Sequence, residues 1–330
     1  MTDSLASGGK VVHIDVVRAI CIVLVVAGHY FPDGSPVWYT SLREWIYSFH
    51  MPLFMYLSGY VYFLSNKDTP YLKLLGKKVR RLLVPYFIVS VIIILIKMLG
   101  QAVLDTDLKN PVDAGTFLKI FIGPAAAIHL WFVLALWWMF VTVALFKSRR
   151  SHIFLLAVAV LLHYLPSVFP QIAYPEIFCL NYFANYLIYF MLGVVLCESG
   201  VSLLKYPTAV SAAFAAFFLL NYIFGILPFA NAYAGIFGMI GLSIIICRYA
   251  VKLIKPIQVI SNASYTIFLL HSVFIGFIVS ALKPFPQFLD PQGKWFACSA
   301  GCIIFLSIVC CIAVWYLLKR IRSSSTKRNR

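Results

Sequence analysis

Arg18 and His29 stand eleven residues apart in an otherwise apolar run. On a helix that interval is about 1100° of rotation, which returns to within about 20° of the same face, and about 16 Å of rise. Histidine is the side chain that titrates nearest neutrality and can take a proton from a hydroxyl. Arginine holds anions and developing negative charge. Asp15 precedes Arg18 by three residues, so the two share a face and can pair. His50, Ser58, His129, Trp131 and His271 sit in or beside further apolar runs. An arginine and a histidine on one stripe of an apolar helix suggest a polar path through the bundle. Each residue also has a plainer reading. Arg18 can snorkel to headgroups, the histidines can be interfacial or satisfied, and Ser58-Gly59 can serve helix packing.

The elements that must position these groups follow from composition. The 330-residue chain is 62% hydrophobic and 12% charged, where a soluble domain is roughly a quarter charged. Backbone inside a bilayer must satisfy its own hydrogen bonds, so the apolar runs are read as helices. Spans of roughly 17–25 residues fall near 11–31, 45–63, 82–100, 128–146, 152–166, 177–197, 207–225, 230–250, 263–282 and 295–318. The fifth is short and interrupted by Pro166. The expected fold is an all-α integral membrane protein of about ten transmembrane helices. A cytoplasmic segment 1–10 precedes the membrane domain 11–318, and a basic cytoplasmic tail 319–330, expected to be disordered, follows it.

The net charge of +16 sorts by side. With the amino terminus cytoplasmic, twenty Lys and Arg fall in cytoplasmic segments and five in external ones (Arg43, Lys109, Lys119, Lys283 and Lys294). Arg18 and Lys97 lie within helices. The cytoplasmic tally includes Lys205 and six residues from Lys319 to Arg330. This asymmetry places both termini in the cytoplasm. It also makes the basic balance a topology signal, so no nucleic-acid partner is expected. The eight cysteines lack metal-finger spacing and read as buried, inert thiols, with no metal expected. The start of the chain has no small-residue cleavage site after a short apolar core, so the first helix is expected to be retained.

Between the second and third apolar runs lies Lys-Lys-Val-Arg-Arg-Leu-Leu-Val-Pro-Tyr, residues 77–86. Lys77, Lys78, Arg80 and Arg81 can hold anionic lipid or the phosphates of a nucleotide-bearing substrate. Asn181, Asn185 and Tyr189 recur at i, i+4 and i+8 and can line a cavity or bond between helices.

Taken in order, five pieces resemble the acyltransferase-3 family of integral membrane acyltransferases. They are Arg18 followed by His29, Met-Pro-Leu-Phe-Met-Tyr-Leu-Ser-Gly-Tyr (51–60), the basic segment 77–86, His-Leu-Trp-Phe-Val (129–133) and Ser-Tyr-Thr-Ile-Phe-Leu-Leu-His (264–271). The resemblance runs over nearly the whole chain. It implies a multi-pass enzyme of the bacterial cytoplasmic (inner) membrane that moves an acyl group, usually acetyl, from acyl-CoA to a hydroxyl of a surface polysaccharide or glycolipid. Some members add an extracytoplasmic transferase domain; this sequence shows none after its last apolar run, so transfer is expected to finish in the membrane domain.

The resemblance and the spacing together make His29 the leading base and Arg18 its catalytic companion. Lys77, Lys78, Arg80, Arg81, Asp15, His50, Ser58, His129, Trp131 and His271 are then candidate substrate-binding residues. Acetyl-CoA is the expected donor substrate, with no permanently bound cofactor. A glycan or glycolipid acceptor and membrane lipids are the expected partners, and the oligomeric state is open. Glu44 or Asp33 is a candidate to orient the His29 ring. The competing class is a transporter or flippase using the same polar stripe as a pathway; no inverted repeat or paired broken helices support it.

Overall fold

Each apolar run folds as a helix, with ends set by local chemistry that hydropathy alone does not show. The computed structural model describes residues 6–7, 10–104, 111–200, 207–225 and 230–328. Most of the expected segment 1–10 therefore lies outside the described residues, as do Lys109, Lys205 and Arg330 from the charge tally.

The chain divides into two packing units, Met1–Phe54 with Ser202–Arg330 and, separately, Met55–Val201. The first unit opens on a two-residue antiparallel pairing of β1 (Ala6–Ser7) with β2 (Lys10–Val11). It continues through α1 (Val12–His29), α2 (Val37–Tyr47) and the first turn of α3 (His50–Asn66). The second unit holds the rest of α3, α4 (Tyr71–Lys78), α5 (Val84–Leu104), α6 (Thr116–Lys119), α7 (Trp131–Val143), α8 (Arg149–Val168) and α9 (Leu180–Glu198). The chain then returns to the first unit for α10 (Pro207–Phe224), α11 (Asn231–Tyr249), α12 (Ile254–Leu282) and α13 (Phe296–Arg328).

Among the described residues, seven helical stretches are long and apolar enough to cross a membrane. They are Val12–His29, Tyr71–Gln101, Arg149–Val168, Ile177–Glu198, Asn231–Tyr249, Val251–Leu282 and Phe296–Ile321. The other three apolar runs form α3 and α7, of 17 and 13 residues, and α10, 18 residues long like α1 but only partly among residues whose side chains are described. At 1.5 Å per residue, 17 residues span about 25 Å, less than a typical hydrocarbon core of about 30 Å. The outward faces suit lipid. Ile88, Ile92, Leu95 and Leu99 form an exposed stripe on α5, and Phe305, Leu306 and Leu317 are exposed on α13. The chain is a multi-pass membrane protein.

Several boundaries correct the sequence reading. The second apolar run is broken at Ser48-Phe49, which separates amphipathic α2 from α3. Pro166 does not interrupt the fifth run, because α8 continues through it to Val168 and begins at a capping box between Ser148 and Ser151. The tail expected to be disordered continues α13 as helix to Arg328. Four of the cysteines are buried as expected, whereas Cys298 and Cys302 are exposed on α13, a membrane-length helix. All eight are free thiols.

Within the first unit, α1 packs against both α11 and α12, and α12 packs against α13. Val12 and Val16 of α1 are buried against Cys247 of α11, with Ile254 and Ile257 of α12 closing over them. In the second unit α9 is the central strut, packing on α7 and α8. Gly59 of α3 meets the Phe190 backbone carbonyl where a Cβ would stand, and Gly193 of α9 likewise meets the Tyr56 carbonyl. The two glycines let α3 and α9 approach backbone to backbone. Phe178 and Cys179, just before α9, both take positive φ (56° and 59°), a strained conformation for such residues. It is held by the Phe178 amide donating to Ile122 O at 2.6 Å and Trp138 Nε1 donating to Phe178 O at 3.1 Å.

Candidate active site

His29 closes α1, and its own helix decides which ring nitrogen is available. Its Nδ1 lies 2.8 Å from the Val25 carbonyl oxygen. A carbonyl only accepts, so Nδ1 carries the proton and Nε2 of the neutral ring carries the lone pair. His50 repeats the arrangement with Nδ1 at 2.8 Å from Ile46 O. His271 does so again, 3.0 Å from Ile267 O and 2.9 Å from Phe268 O. Three histidines of the first unit are thus set in one tautomer by backbone one turn earlier. The carboxylates of Glu44 and Asp33, expected to orient the ring, are replaced at Nδ1 by the Val25 carbonyl.

The rings gather around Tyr47, the last residue of α2. His29 and His271 meet edge to face with centroids 4.8 Å apart. Tyr47 lies 6.1 Å from His29 and 4.8 Å from His50. His271 is fully buried and His50 is 2% exposed, whereas His29 is only part-buried. Of the three, His29 is the ring a substrate can reach. Gly28 makes this packing possible, since a Cβ there would stand 2.7 Å from Tyr47 Cε2.

The loop and α2 are fastened to the end of α1. Tyr39 donates through its hydroxyl to Tyr30 O at 2.8 Å and Ala27 O at 3.2 Å. Burial pushes its phenol up to about 12, so it stays a neutral donor. Arg43 donates from Nε to Gly28 O at 3.1 Å, and its guanidinium lies 4.4 Å from the ring centroids of both Phe31 and Tyr47.

At the other end of α1, Arg18 is tied down rather than snorkelling. Its Nη1 lies 3.3 Å from Asp15 Oδ1 and 3.4 Å from Ser261 Oγ. Ser261 in turn donates to Asp15 Oδ1 at 3.0 Å. The Asp15–Arg18 pairing expected from i, i+3 spacing is present. Arg18 bonds to Ser261 of α12, and His29 meets His271 of the same helix further along. These two contacts make α1 and α12 neighbours running in the same direction.

The remaining sequence candidates lie in the second unit. The basic segment is not one cluster. Lys78 lays its Nζ 3.4 Å from the Phe140 ring centroid, while Lys77, Arg80 and Arg81 are exposed. A single π-helical turn at Val79–Leu83 joins α4 to α5 and carries both arginines. Such turns displace side chains from the regular helical faces. Lys77 also lines a polar cleft of about 300 Å³ with Lys67, Lys73, Asn66, Asp68 and Thr69. His129 is buried, and Trp131 stacks on Tyr182 at 4.1 Å and contacts Tyr186 at 5.1 Å. Ser58 is part-buried beside Gly59. Of the stripe Asn181, Asn185, Tyr189, the Tyr189 ring packs on His163 of α8, the Asn181 side chain accepts from the Tyr182 amide at 2.8 Å, and Asn185 offers its backbone carbonyl to His163 Nδ1 at 2.6 Å.

These groups sit in a chain whose residues 11–316 match a family model described as an acyltransferase domain, acyltransferase-3. The chain belongs to the acyltransferase-3 family. Nodulation protein NolL of Sinorhizobium fredii is 32% identical over 87 residues, which is 25% of this chain and 24% of that protein. The matched stretch spans about a quarter of the length of that curated relative. No solved structure matches the chain. The chain thus pairs a match to an acyltransferase-domain family with helices of membrane-spanning length.

Three residues of the candidate site escaped the sequence reading. Ser261 completes the Arg18 pair, Tyr47 joins the histidines, and Arg43 is fixed beside Gly28. Ser261 was within sight, three residues before the Ser264–His271 motif. Tyr47 and Arg43 become visible only once α2 is recognised as a helix of its own, because four residues then place them on one face.

Proposed function

We propose that this membrane acyltransferase moves an acyl group, acetyl in the first instance, from cytoplasmic acyl-CoA to a hydroxyl of a sugar. The acceptor belongs to a surface polysaccharide or glycolipid precursor, and the enzyme works in a bacterial cytoplasmic membrane with both chain ends in the cytoplasm. The observation that carries this reading is His29, a part-exposed histidine whose Nδ1 proton is held by Val25 O at 2.8 Å, leaving Nε2 as the basic atom.

His29 Nε2 takes the proton of the acceptor hydroxyl as its oxygen attacks the thioester carbonyl carbon. The tetrahedral intermediate then collapses, the carbon–sulfur bond breaks, and the departing CoA thiolate recovers the proton from His29. The ester and CoA-SH leave. Val25 O keeps the Nδ1 proton and the ring plane in place throughout. Lys77, Arg80 and Arg81 are exposed cations suited to the donor's phosphates. Arg18, on the same face of α1 about 16 Å below His29, lies along the path of the pantetheine arm, and its ties to Asp15 and Ser261 hold it there.

Replacing His29 with alanine is expected to lower transfer from labelled acetyl-CoA by about 10²–10⁴-fold. The variant should elute and melt like the wild-type protein. A folded variant that transfers at the wild-type rate removes His29 from the mechanism.

A further inference from the structure

Acyl transfer also needs a hydrogen-bond donor aimed at the thioester carbonyl oxygen as it becomes an oxyanion. The histidine cluster offers none in its neutral state. His29, His50 and His271 each use Nδ1–H on a backbone carbonyl, which makes every Nε2 an acceptor. Tyr47 spends its hydroxyl proton on Gly28 O at 3.3 Å. Among the described residues, the cation Arg43 is held beside them.

We propose that Arg43 is the oxyanion-stabilising residue of this site, pinned between Phe31, Tyr47 and the backbone of Gly28 with its Nη edge turned to the substrate. The inference rests on the acyl-transfer reading given above. Its Cζ lies 4.4 Å from both ring centroids, and its Nε donates to Gly28 O at 3.1 Å. Gly28 directly precedes His29, and Tyr47, the ring that Arg43 covers, is the one beside His29. The cation and the base are therefore both fixed beside Gly28 of α1 and Tyr47 of α2.

Among the described residues, no carboxylate pairs with Arg43 and no hydrogen bond reaches Nη1 or Nη2. The guanidinium is part-buried, so the arrangement is held ready with donors unspent and water partly excluded. That is the form in which a donor lowers a barrier most, because nothing must reorganise when the charge appears. As the acceptor oxygen attacks, the carbonyl π electrons move onto the thioester oxygen, where the Nη–H groups meet them. On collapse the same electrons re-form the carbonyl and expel the thiolate.

The test is steady-state transfer from labelled acetyl-CoA by purified protein, with Arg43→Gln, Arg43→Lys and Arg43→Ala, each with its melting midpoint. Arg43→Gln is expected to lose about 100-fold or more in kcat, while the donor KM moves less than about threefold. Arg43→Lys should recover part of the loss, and added guanidinium ion should partly rescue Arg43→Ala. A merely structural clamp would move the melting midpoint and the active fraction, leave kcat per folded molecule unchanged and give no rescue; that result overturns the proposal. Wild-type protein that neither transfers nor hydrolyses the thioester would instead defeat the acyl-transfer reading itself, and with it the role of Arg43.

Discussion

In the proposed reaction, a histidine eleven residues after an arginine serves as a base only because of what holds its ring. Val25 O at Nδ1 is that holder, and it is built into α1 itself, four residues back. The Arg18–His29 pair was legible from spacing because eleven residues nearly complete three turns. Ser261 was not, since it lies 243 residues from Arg18 and no periodicity links them. Arg43 was read as a loop cation on the external side because it and its partner Tyr47 belong to a helix, α2, whose end the hydropathy merged with α3. Arg18 anchors two polar partners, and its removal leaves Asp15, 8% exposed, without its cation. Arg18→Ala is therefore expected to raise the donor KM about tenfold, a loss of roughly 1.4 kcal/mol, with the acceptor KM little changed. Titrating each substrate separately checks this, and equal losses on both sides would count against a donor path along α1.

Helix ends carry much of what composition hid. Apolar runs located every membrane-length helix, because a bilayer admits few other folds. They could not locate the break at Ser48-Phe49 or the π turn at Val79–Leu83, which depend on local hydrogen bonding rather than on hydropathy. Ser58-Gly59 is the opposite case. Its packing role was readable from small residues in an apolar run, and Gly59 and Gly193 do meet backbone carbonyls across α3 and α9. A methyl group at either must push two helices apart. Gly193→Ala is expected to destabilise the protein by about 1–3 kcal/mol, the usual cost of overpacking. Gly276→Ala, where nothing stands within 4 Å of a new Cβ, is expected to be neutral or slightly stabilising. Thermal unfolding in one detergent compares the two, and equal midpoints would contradict the close approach.

Direction across the bilayer is a property of the whole chain. α1 and α12 lie side by side and parallel through the Arg18–Ser261 and His29–His271 contacts. Two parallel spans need an odd number of crossings between them. Four of the seven membrane-length stretches lie between α1 and α12, so where all four cross, parity calls for an odd number of α3, α7 and α10 to cross as well. The ten-span reading, in which all three cross, satisfies this parity, and it keeps the basic segments on one side. Cysteine labelling from each side of intact cells is expected to place engineered sites near Ser35 and Gln292 together on the outside, with a site at Ser324 inside. Parity alone does not perform chemistry, however. The most direct measurement seals purified protein into vesicles with labelled acetyl-CoA on one face and a glycan acceptor on the other. Wild-type protein is expected to label the glycan across the bilayer, and His29→Ala to do so about 10²–10⁴-fold more slowly. Equal labelling by a folded His29→Ala protein would contradict the account.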